Sequence, residues 1–231
     1  MQTLYIIFAF LILGLSSIAQ QHIGFNIGYG NSYYKIKQGE SNQNSTINYQ
    51  AKPAMEFELI YKRRWPGIIN FASSISYQQH NLHINESWES TKTSIYKSAD
   101  YKLDNLYLKA FPEFVYGNKI RYYAQVGPSL SILLKSQVDG YLDINYLINN
   151  PPTVVHNILN NDASDIFNKF SFGFFGGLGI DFPIGENFTI SVSSQFDYSI
   201  NSWFKSDKNT YSSRALMFRL GANYIIRELR Y

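Results

Sequence analysis

Two long alternating segments within residues 106–134 constrain the fold of this chain more than any other feature. Apolar and polar side chains alternate with a period of two along both segments, and residues 117–119 separate them. A period of two indicates extended strands, because successive side chains of a strand point to opposite faces of the sheet. One face of each segment is continuously apolar, and the other carries charged groups, amides, hydroxyls and glycine. This pattern is typical of a strand between lipid and a polar barrel interior.

Six further segments show the same alternation. The connections between predicted strands alternate in length along the chain, in the order long, short, long, short, long, short, long. Outer-membrane barrels combine long external loops with short periplasmic turns, so this rhythm predicts an all-β fold, a closed antiparallel up-and-down transmembrane β-barrel of about eight strands. Both ends of the mature chain are then expected on the periplasmic side. The six further predicted strands cover residues 22–34, 53–63, 68–79, 169–182, 188–198 and 214–226.

The long connections are predicted to be polar loops on the external side. They cover residues 35–52, 80–102, 135–168 and 200–213. Within the longest, Val154, Val155, Ile158 and Leu159 have helical spacing, which predicts a short amphipathic turn over the barrel mouth.

The first residues have the features of a targeting segment. Residues 4–15 are apolar, and Ser17 and Ala19 are small residues that fit a cleavage site, although the stretch before them has no Lys or Arg. The sequence therefore predicts a cleavable signal peptide over residues 1–19 and an outer-membrane barrel domain over residues 20–231. An uncleaved anchor helix is the alternative, but this apolar core is short for a membrane span. The chain contains no Cys, which excludes a lipoprotein and a disulfide framework.

The composition agrees with a membrane barrel and excludes some partners. Aromatic residues make up 17% of the chain and charged residues 16%, below the usual charged share of about 25%. The aromatic residues lie toward the ends of the predicted strands, where girdles form at the two lipid–water boundaries. Outer-membrane lipid is therefore an expected partner. A net charge of +3, scattered along the chain, predicts no nucleic-acid partner.

The polar strand faces carry equal numbers of acidic and basic side chains. The interior of an eight-stranded barrel is just filled by side chains, and unpaired charges buried there are costly. The sequence therefore predicts a structural, salt-bridged network that plugs the lumen, with Arg121 and Arg219 among its centres. The alternative, that these groups bind a solute or gate a narrow channel, is less favoured by the small diameter. The network residues are Glu56, Glu58, Lys62, Lys109, Glu113, Arg121, Lys169, Asp181, Asp197 and Arg219.

Other candidate sites are weak. His80 and His83 precede Glu86 and Glu89 at the end of a predicted strand, but an extended segment does not make such residues converge on a metal. Both histidines are predicted to be polar surface residues. The chain has no G-x-S-x-G nucleophile motif, so no catalytic residue, cofactor or metal is predicted. Sugar stacking by the loop residues Trp88 and Trp203 has no support in the sequence.

Residues 106–134 also carry a family resemblance. The matching positions are Tyr107-Leu108, Pro112, Tyr116, Asn118-Lys119, Tyr123 and Gly127-Pro128-Ser129, together with the glycine-rich run over residues 172–184. With these residues the chain resembles the outer-membrane β-barrel domain of porin-family, PorT-like proteins of Bacteroidota-type bacteria. It departs from them at Ala110-Phe111 and in its long 135–168 connection. The resemblance implies a small integral outer-membrane barrel, and the family name does not imply a demonstrated pore.

These observations lead to one expected function and three alternatives. We expect a non-enzymatic envelope protein that anchors external loops and presents them to an extracellular or envelope protein partner. The first two alternatives are an outer-membrane barrel enzyme and a narrow solute channel, both acting at the external rim. The third is a soluble secreted barrel of lipocalin type, whose apolar face would surround a ligand. The balanced charges opposite the apolar face favour the membrane barrel over the lipocalin type.

Overall fold

A computed structural model of the chain describes residues 20–37, 45–65, 67–117, 119–147, 153–201 and 210–226. The predicted signal peptide, residues 1–19, lies outside these ranges. The described residues contain no helix long and apolar enough to cross a membrane. They form β1 (Gln20–Lys37), β2 (Ser45–Arg64), β3 (Ile69–Glu89), β4 (Thr93–Tyr116), β5 (Arg121–Tyr146), β6 (Thr153–Asp162), β7 (Phe170–Ile184), β8 (Phe188–Ser199) and β9 (Thr210–Ile226).

Eight of these strands form a closed ring. The sheet order runs β4-β3-β2-β1-β9-β8-β7-β5, and a further pairing between β4 and β5 closes the ring. Neighbouring strands are antiparallel, as in the pairs β1–β2 and β1–β9. Gln21 at the start of β1 pairs with Ile226 at the end of β9, so both ends of the described chain lie at the same end of the barrel. The predicted closed antiparallel up-and-down barrel is confirmed.

Glycine makes two of the short turns possible. Gly117 and Gly185 have φ values of 101° and 66°, in the left-handed region that residues with a Cβ rarely adopt. A Cβ at Gly117 would also lie 2.2 Å from the carbonyl oxygen of Ile120. These turns and the β2–β3 connection define what we call the short-turn end of the barrel.

The apolar side chains of the ring point away from its interior. Phe174 on β7 is 55% exposed and Leu220 on β9 is 62% exposed, as expected of groups that face lipid. At the short-turn end the exposed rings of Phe188 and Tyr224 lie 5.2 Å apart, where an interfacial girdle is expected. The lipocalin-type alternative is therefore wrong, because its apolar side chains would enclose a cavity.

Three strands continue well beyond the barrel at the opposite, long-hairpin end. β3, β4 and β5 contain 21, 24 and 26 residues, whereas a tilted strand crosses a membrane with about 9–11 residues. The part of β5 next to the short-turn end pairs with β7, and its outer part pairs with β6. The outer ends of β2 to β5, together with β6, form what we call the projecting sheet.

The predicted loops over residues 80–102 and much of 135–168 are therefore wrong. β3 and β4 meet in a tight turn at residues 90–92, where the Ser90 hydroxyl accepts a hydrogen bond of 3.1 Å from the Thr93 amide. The helical turn predicted at residues 154–159 is also wrong. Those residues belong to β6, because pairing with β5 holds their backbone extended.

The polarity of the alternation is inverted in the projecting sheet. Leu82, Ile84, Tyr101 and Leu103 point inward and are buried, whereas the outward side chains next to them on β3 and β4 are polar. The return segment, which we define as residues 163–169 between β6 and β7, adds Phe167. This ring is buried edge-to-face against Tyr101, with a centroid distance of 5.6 Å. This upper core covers the long-hairpin end of the barrel interior.

Candidate functional site: the lumen and the projecting sheet

The barrel interior contains two clusters of buried charges with an apolar layer between them. Alternation along β2 produces this order, because its successive inward positions are two acids, an isoleucine and two bases. The lower charge cluster, nearer the short-turn end, consists of Lys62, Arg64, Glu113 and Asp181. The apolar layer consists of Ile60, Ala72, Phe111 and Phe175. The upper charge cluster consists of Glu56, Glu58, Lys109, Asp197 and Arg219.

The lower charge cluster is paired by direct contacts. Lys62 Nζ and Arg64 Nη2 each lie 2.9 Å from a carboxylate oxygen of Glu113. The same Arg64 nitrogen also donates to Asp181, which accepts a further hydrogen bond of 2.6 Å from the Ser191 hydroxyl. Arg64 thus bridges strands β4 and β7 across the lumen.

The apolar layer separates the clusters with a pair of rings. Phe111 and Phe175 pack edge-to-face, with centroids 4.9 Å apart and an interplanar angle of 84°. This is a preferred geometry for aromatic pairs. The two rings therefore lie between the charge clusters and add apolar packing to the lumen.

The upper charge cluster is organised by Arg219. Its Nε and Nη2 atoms each lie 2.6 Å from a different oxygen of Glu56, and its Nη1 lies 3.2 Å from Glu58. Lys109 Nζ lies 3.4 Å from Glu56 and 3.3 Å from Asp197. The planar guanidinium is suited to this arrangement, because it can hold one carboxylate with two donors and reach a second with a third.

Neutral side chains add hydrogen bonds to this cluster and extend the network. Gln78 donates to Glu56 over 2.6 Å, and His80 Nε2 lies 3.1 Å from the Gln78 carbonyl oxygen. The Tyr107 hydroxyl lies 3.2 Å from the same His80 nitrogen. The network therefore reaches from the upper charge cluster to the edge of the upper core.

Eight of the ten residues predicted for the lumen network are buried on the inward face. Lys169 is a correction, since it lies exposed immediately before β7 and outside the lumen. Arg121 is half-buried and makes no ion pair with any residue that the structure describes, so it is not a centre of the network. Arg64 holds that position instead.

Arg64 was missed because the sequence places it in a turn with Pro66 and Gly67. The alternation along β2 could have identified it. Arg64 follows the inward-facing Lys62 by two positions, and β2 extends to Arg64, so its side chain also points inward. With Arg64 included, the buried set has five carboxylates and four cations. The half-buried Arg121 beside the lower charge cluster brings the cations to five, so the signs balance.

Inward side chains such as Glu56, Gln78 and Met217 have no exposed surface. A cleft between His80, Tyr107 and Asp197 has a volume of about 10 Å³, which is room for about one water molecule. The interior is therefore filled by side chains, as expected for a barrel of eight strands.

The two histidines near the end of the membrane-spanning part of β3 point to opposite faces. His80 is buried in the lumen, so its prediction as a surface residue is wrong; it has the same parity as the inward-facing Gln78. His83 lies on the outer face, with Nδ1 2.9 Å from Asp100. Among the described residues, no three His, Asp or Glu side chains are placed to share a metal ion.

The outer face of the projecting sheet carries an aromatic row. Tyr96 and Tyr141 lie 5.9 Å apart between ring centroids, and the His156 ring stacks on Tyr141 at 5.7 Å. His156 Nδ1 contacts Asp143.

Hydrogen bonds from the Ser164 amide and hydroxyl hold the pKa of Asp162, at the end of β6, below its usual value. Trp88 ends up in β3 rather than a loop, and Trp203 lies outside the described residues.

Comparison with known proteins gives a family and a fold. A family model described as "Outer membrane protein beta-barrel domain" matches residues 18–205. No curated protein matches the chain. Among solved structures, OprG from Pseudomonas aeruginosa is 11% identical with a TM-score of 0.50, and the match covers 91% of this chain and 97% of OprG.

Two other outer-membrane barrels resemble it less in shape. Ail from Yersinia pestis is 15% identical with a TM-score of 0.43, over 90% of this chain and 99% of Ail. Neisserial surface protein A is 11% identical with a TM-score of 0.48, over 90% and 99% of the two chains. The family match covers most of the chain, and the closed ring with its outward apolar face agrees with it. The chain therefore belongs to the outer membrane protein β-barrel domain family and is an integral protein of the bacterial outer membrane.

Proposed function

We propose that this chain is a non-enzymatic outer-membrane anchor that holds the projecting sheet outside the cell, where the sheet contacts an extracellular or envelope protein. The observation that carries this proposal is the contrast between the two parts of the molecule. The barrel interior is filled by paired charges and a pair of edge-to-face rings, whereas β3, β4 and β5 extend far beyond the length that a membrane requires. The long-hairpin end is then the external side, and both ends of the mature chain are periplasmic.

The filled lumen argues against a solute channel. The five buried carboxylates each accept a hydrogen bond or lie in an ion pair, and the Phe111–Phe175 pair packs between the two charge clusters. We infer that the charge network is structural, a plug that fastens the strands to each other. Purified protein in planar lipid bilayers should give no current above that of protein-free bilayers. Steady single-channel currents would refute the closed lumen.

An enzyme at the external rim is the second candidate, and the histidine contacts argue against it. His83 pairs with Asp100 and His156 pairs with Asp143, which resembles the base and orienting acid of a hydrolase. Among the described contacts, neither ring binds a serine or threonine hydroxyl that could act as the nucleophile. Cells in which His83 and His156 are both replaced by alanine should have the same covalent modifications on their envelope lipids and proteins as wild-type cells. A lipid or peptide modification that disappears in this variant would favour the enzyme.

The interaction itself is tested by site-specific photo-crosslinking on intact cells. A photoreactive amino acid at Tyr96 on the projecting sheet should form an adduct with one protein. The matched control places the same group at Phe174 in the lipid-facing belt and should give no protein adduct. If adducts from the two positions are indistinguishable, the projecting sheet has no specific protein partner.

Two finer assignments are also proposals. The motif residues Tyr107, Pro112 and Tyr116 support membership of the PorT-like proteins of Bacteroidota-type bacteria, and a sequence tree that places the chain outside that group would refute it. The small residues Ser17 and Ala19 support cleavage of residues 1–19. The intact mass of protein purified from outer membranes tests this cleavage, since a mass that includes those residues would contradict it.

A further inference from the structure

Strand β6 has one paired edge and one open edge. Its ten residues pair in unbroken register with β5, from Gln137 opposite Asp162 to Tyr146 opposite Thr153. β6 is the last strand in the sheet order, and its second edge pairs with no strand in the part of the chain that the structure describes. Such an edge presents a row of backbone N–H and C=O groups that another polypeptide can bind.

This edge lacks the usual protection against pairing. Exposed edge strands are generally short, interrupted by a bulge, or guarded by Lys or Pro. β6 contains no Lys, Arg or Pro, and its register with β5 shows no shift. Val154 and Ile158 project from its outer face and are 61% and 75% exposed. The edge is therefore long, regular and partly apolar.

The two paired strand segments at this edge carry charge of one sign. β6 and the segment of β5 that pairs with it carry three carboxylates, on Asp139, Asp143 and Asp162, and no Lys or Arg. Lys135 precedes this segment of β5 and lies near Asp162, and Lys97 and Lys102 lie one strand further away, on β4. A strand that carries basic side chains would be attracted to this edge, and an acidic one repelled.

We propose that β6 is a docking edge for an extended, basic segment of a partner protein, which adds to the projecting sheet as a further strand. Backbone hydrogen bonds supply the general affinity, and side-chain contacts supply the choice of partner. The Lys or Arg side chains of the segment lie on the outer face, where their aliphatic stems pack on Val154 and Ile158 and their charges pair with the carboxylates, and its aliphatic side chains lie on the inner face. This inference rests on the proposed interaction function and adds the location and chemistry of the contact.

A second copy of this chain is a less suitable occupant. Pairing β6 with its copy would join two acidic edges, because each copy brings three carboxylates and no Lys or Arg on its paired strands. The charge therefore favours a different polypeptide over self-association.

The test uses the full chain in lipid nanodiscs and a fluorescent peptide of alternating valine and lysine, about the length of β6. We expect saturable binding in fluorescence anisotropy and, with ¹³C-labelled peptide carbonyls, an infrared band of paired strand. A peptide with glutamate in place of lysine should bind at least about tenfold more weakly, which equals about 1.4 kcal/mol. No binding of the lysine peptide, or equal binding of the two peptides, would overturn the proposal.

Two variants locate the binding. Ile158→Lys puts a repelling charge on the exposed edge and should abolish binding, whereas Gln50→Lys puts the same charge on β2, at the other side of the projecting sheet, and should not. Asp139→Asn, which keeps the size of the side chain, should weaken binding and reduce its salt dependence. Equal losses in the two lysine variants, or no loss in Ile158→Lys, would overturn the proposal.

The remaining outcomes separate this inference from the proposed function. If light scattering shows a dimer that Ile158→Lys converts to a monomer, the occupant of the edge is a second copy and the inference is wrong. If the Tyr96 crosslink on cells persists in Ile158→Lys, the interaction function stands and the docking edge is wrong. Channel currents or a missing Tyr96 adduct would instead count against the proposed function.

Discussion

Replacing Arg219 with methionine tests whether the upper charge cluster stabilises the barrel. The substitution keeps a long side chain in the lumen but removes three contacts, two of 2.6 Å to Glu56 and one of 3.2 Å to Glu58. Glu56 keeps Lys109 at 3.4 Å and the Gln78 amide. Glu58 keeps only the Asn26 amide among the described residues, so a carboxylate remains buried without a cation.

The expected loss follows from that uncompensated charge. Removing one partner of a buried ion pair costs about 3–5 kcal/mol. We expect Arg219→Met to lower the free energy of unfolding by this amount, measured by urea titration in detergent micelles with heat-modifiable gel migration as a second probe. The matched control is Lys169→Met, which removes an exposed cation and should change stability by less than about 0.5 kcal/mol.

A double variant checks the cause. In Arg219→Met with Glu58→Met, the carboxylate that lost its cation is removed together with its partner, and replacing a buried pair by apolar groups is often neutral. The double variant should therefore be more stable than Arg219→Met alone. If Arg219→Met unfolds at the same urea concentration as wild type, the reasoning about the lumen network is refuted.

Three further substitutions test other parts of the structure. Arg64→Met removes the cation that bridges Glu113 and Asp181, so it should lower the free energy of unfolding by about 3–5 kcal/mol in the same titration. Phe167→Ala removes the ring packed on Tyr101 and should speed proteolysis and amide hydrogen exchange of the return segment. The barrel should stay folded, because the upper core lies outside the ring of strands. Equal exchange rates in the variant and the wild type would contradict this. Gly117→Ala forces a Cβ into a left-handed turn and toward a carbonyl oxygen, so it should cost more than about 1 kcal/mol, whereas Gly67→Ala, with open space around it, should be neutral.

Many of the residues that fill the lumen could be predicted from the alternation of side chains along each strand. Once a strand is known to have one face toward lipid, every second residue must point inward, which is how Glu56, Lys109 and Arg219 were found. Arg64 was lost because a following Pro-Gly suggested that the strand had already ended. Its pairing across the lumen depends on β4 and β7, which are distant in sequence, so no local pattern could reveal it.

The projecting sheet was missed because the search for strands assumed one polarity. Inside the membrane the outer face of a strand is apolar, and beyond it the outer face meets water, so the apolar residues move to the inner face. On β3 the inward parity is unchanged from Asn70 to Ile84, but the inward side chains change from polar to apolar near His80. The same change on β4 buries Tyr101 and Leu103. Side chains therefore alternate along the whole of both strands, but in their outer parts the apolar side chains lie on the inner face.

The sequence by itself determined that this chain is a barrel with short turns at one end, charged groups inside and lipid outside. It did so because successive side chains of a strand point to opposite faces, and the environment of each face selects the polarity of every second residue. Only the tertiary structure decided which charges meet across the lumen, how far β3, β4 and β5 continue past the membrane, and that β6 ends the sheet with an open edge. Those features depend on register and strand order, which are set by contacts between residues far apart in the chain.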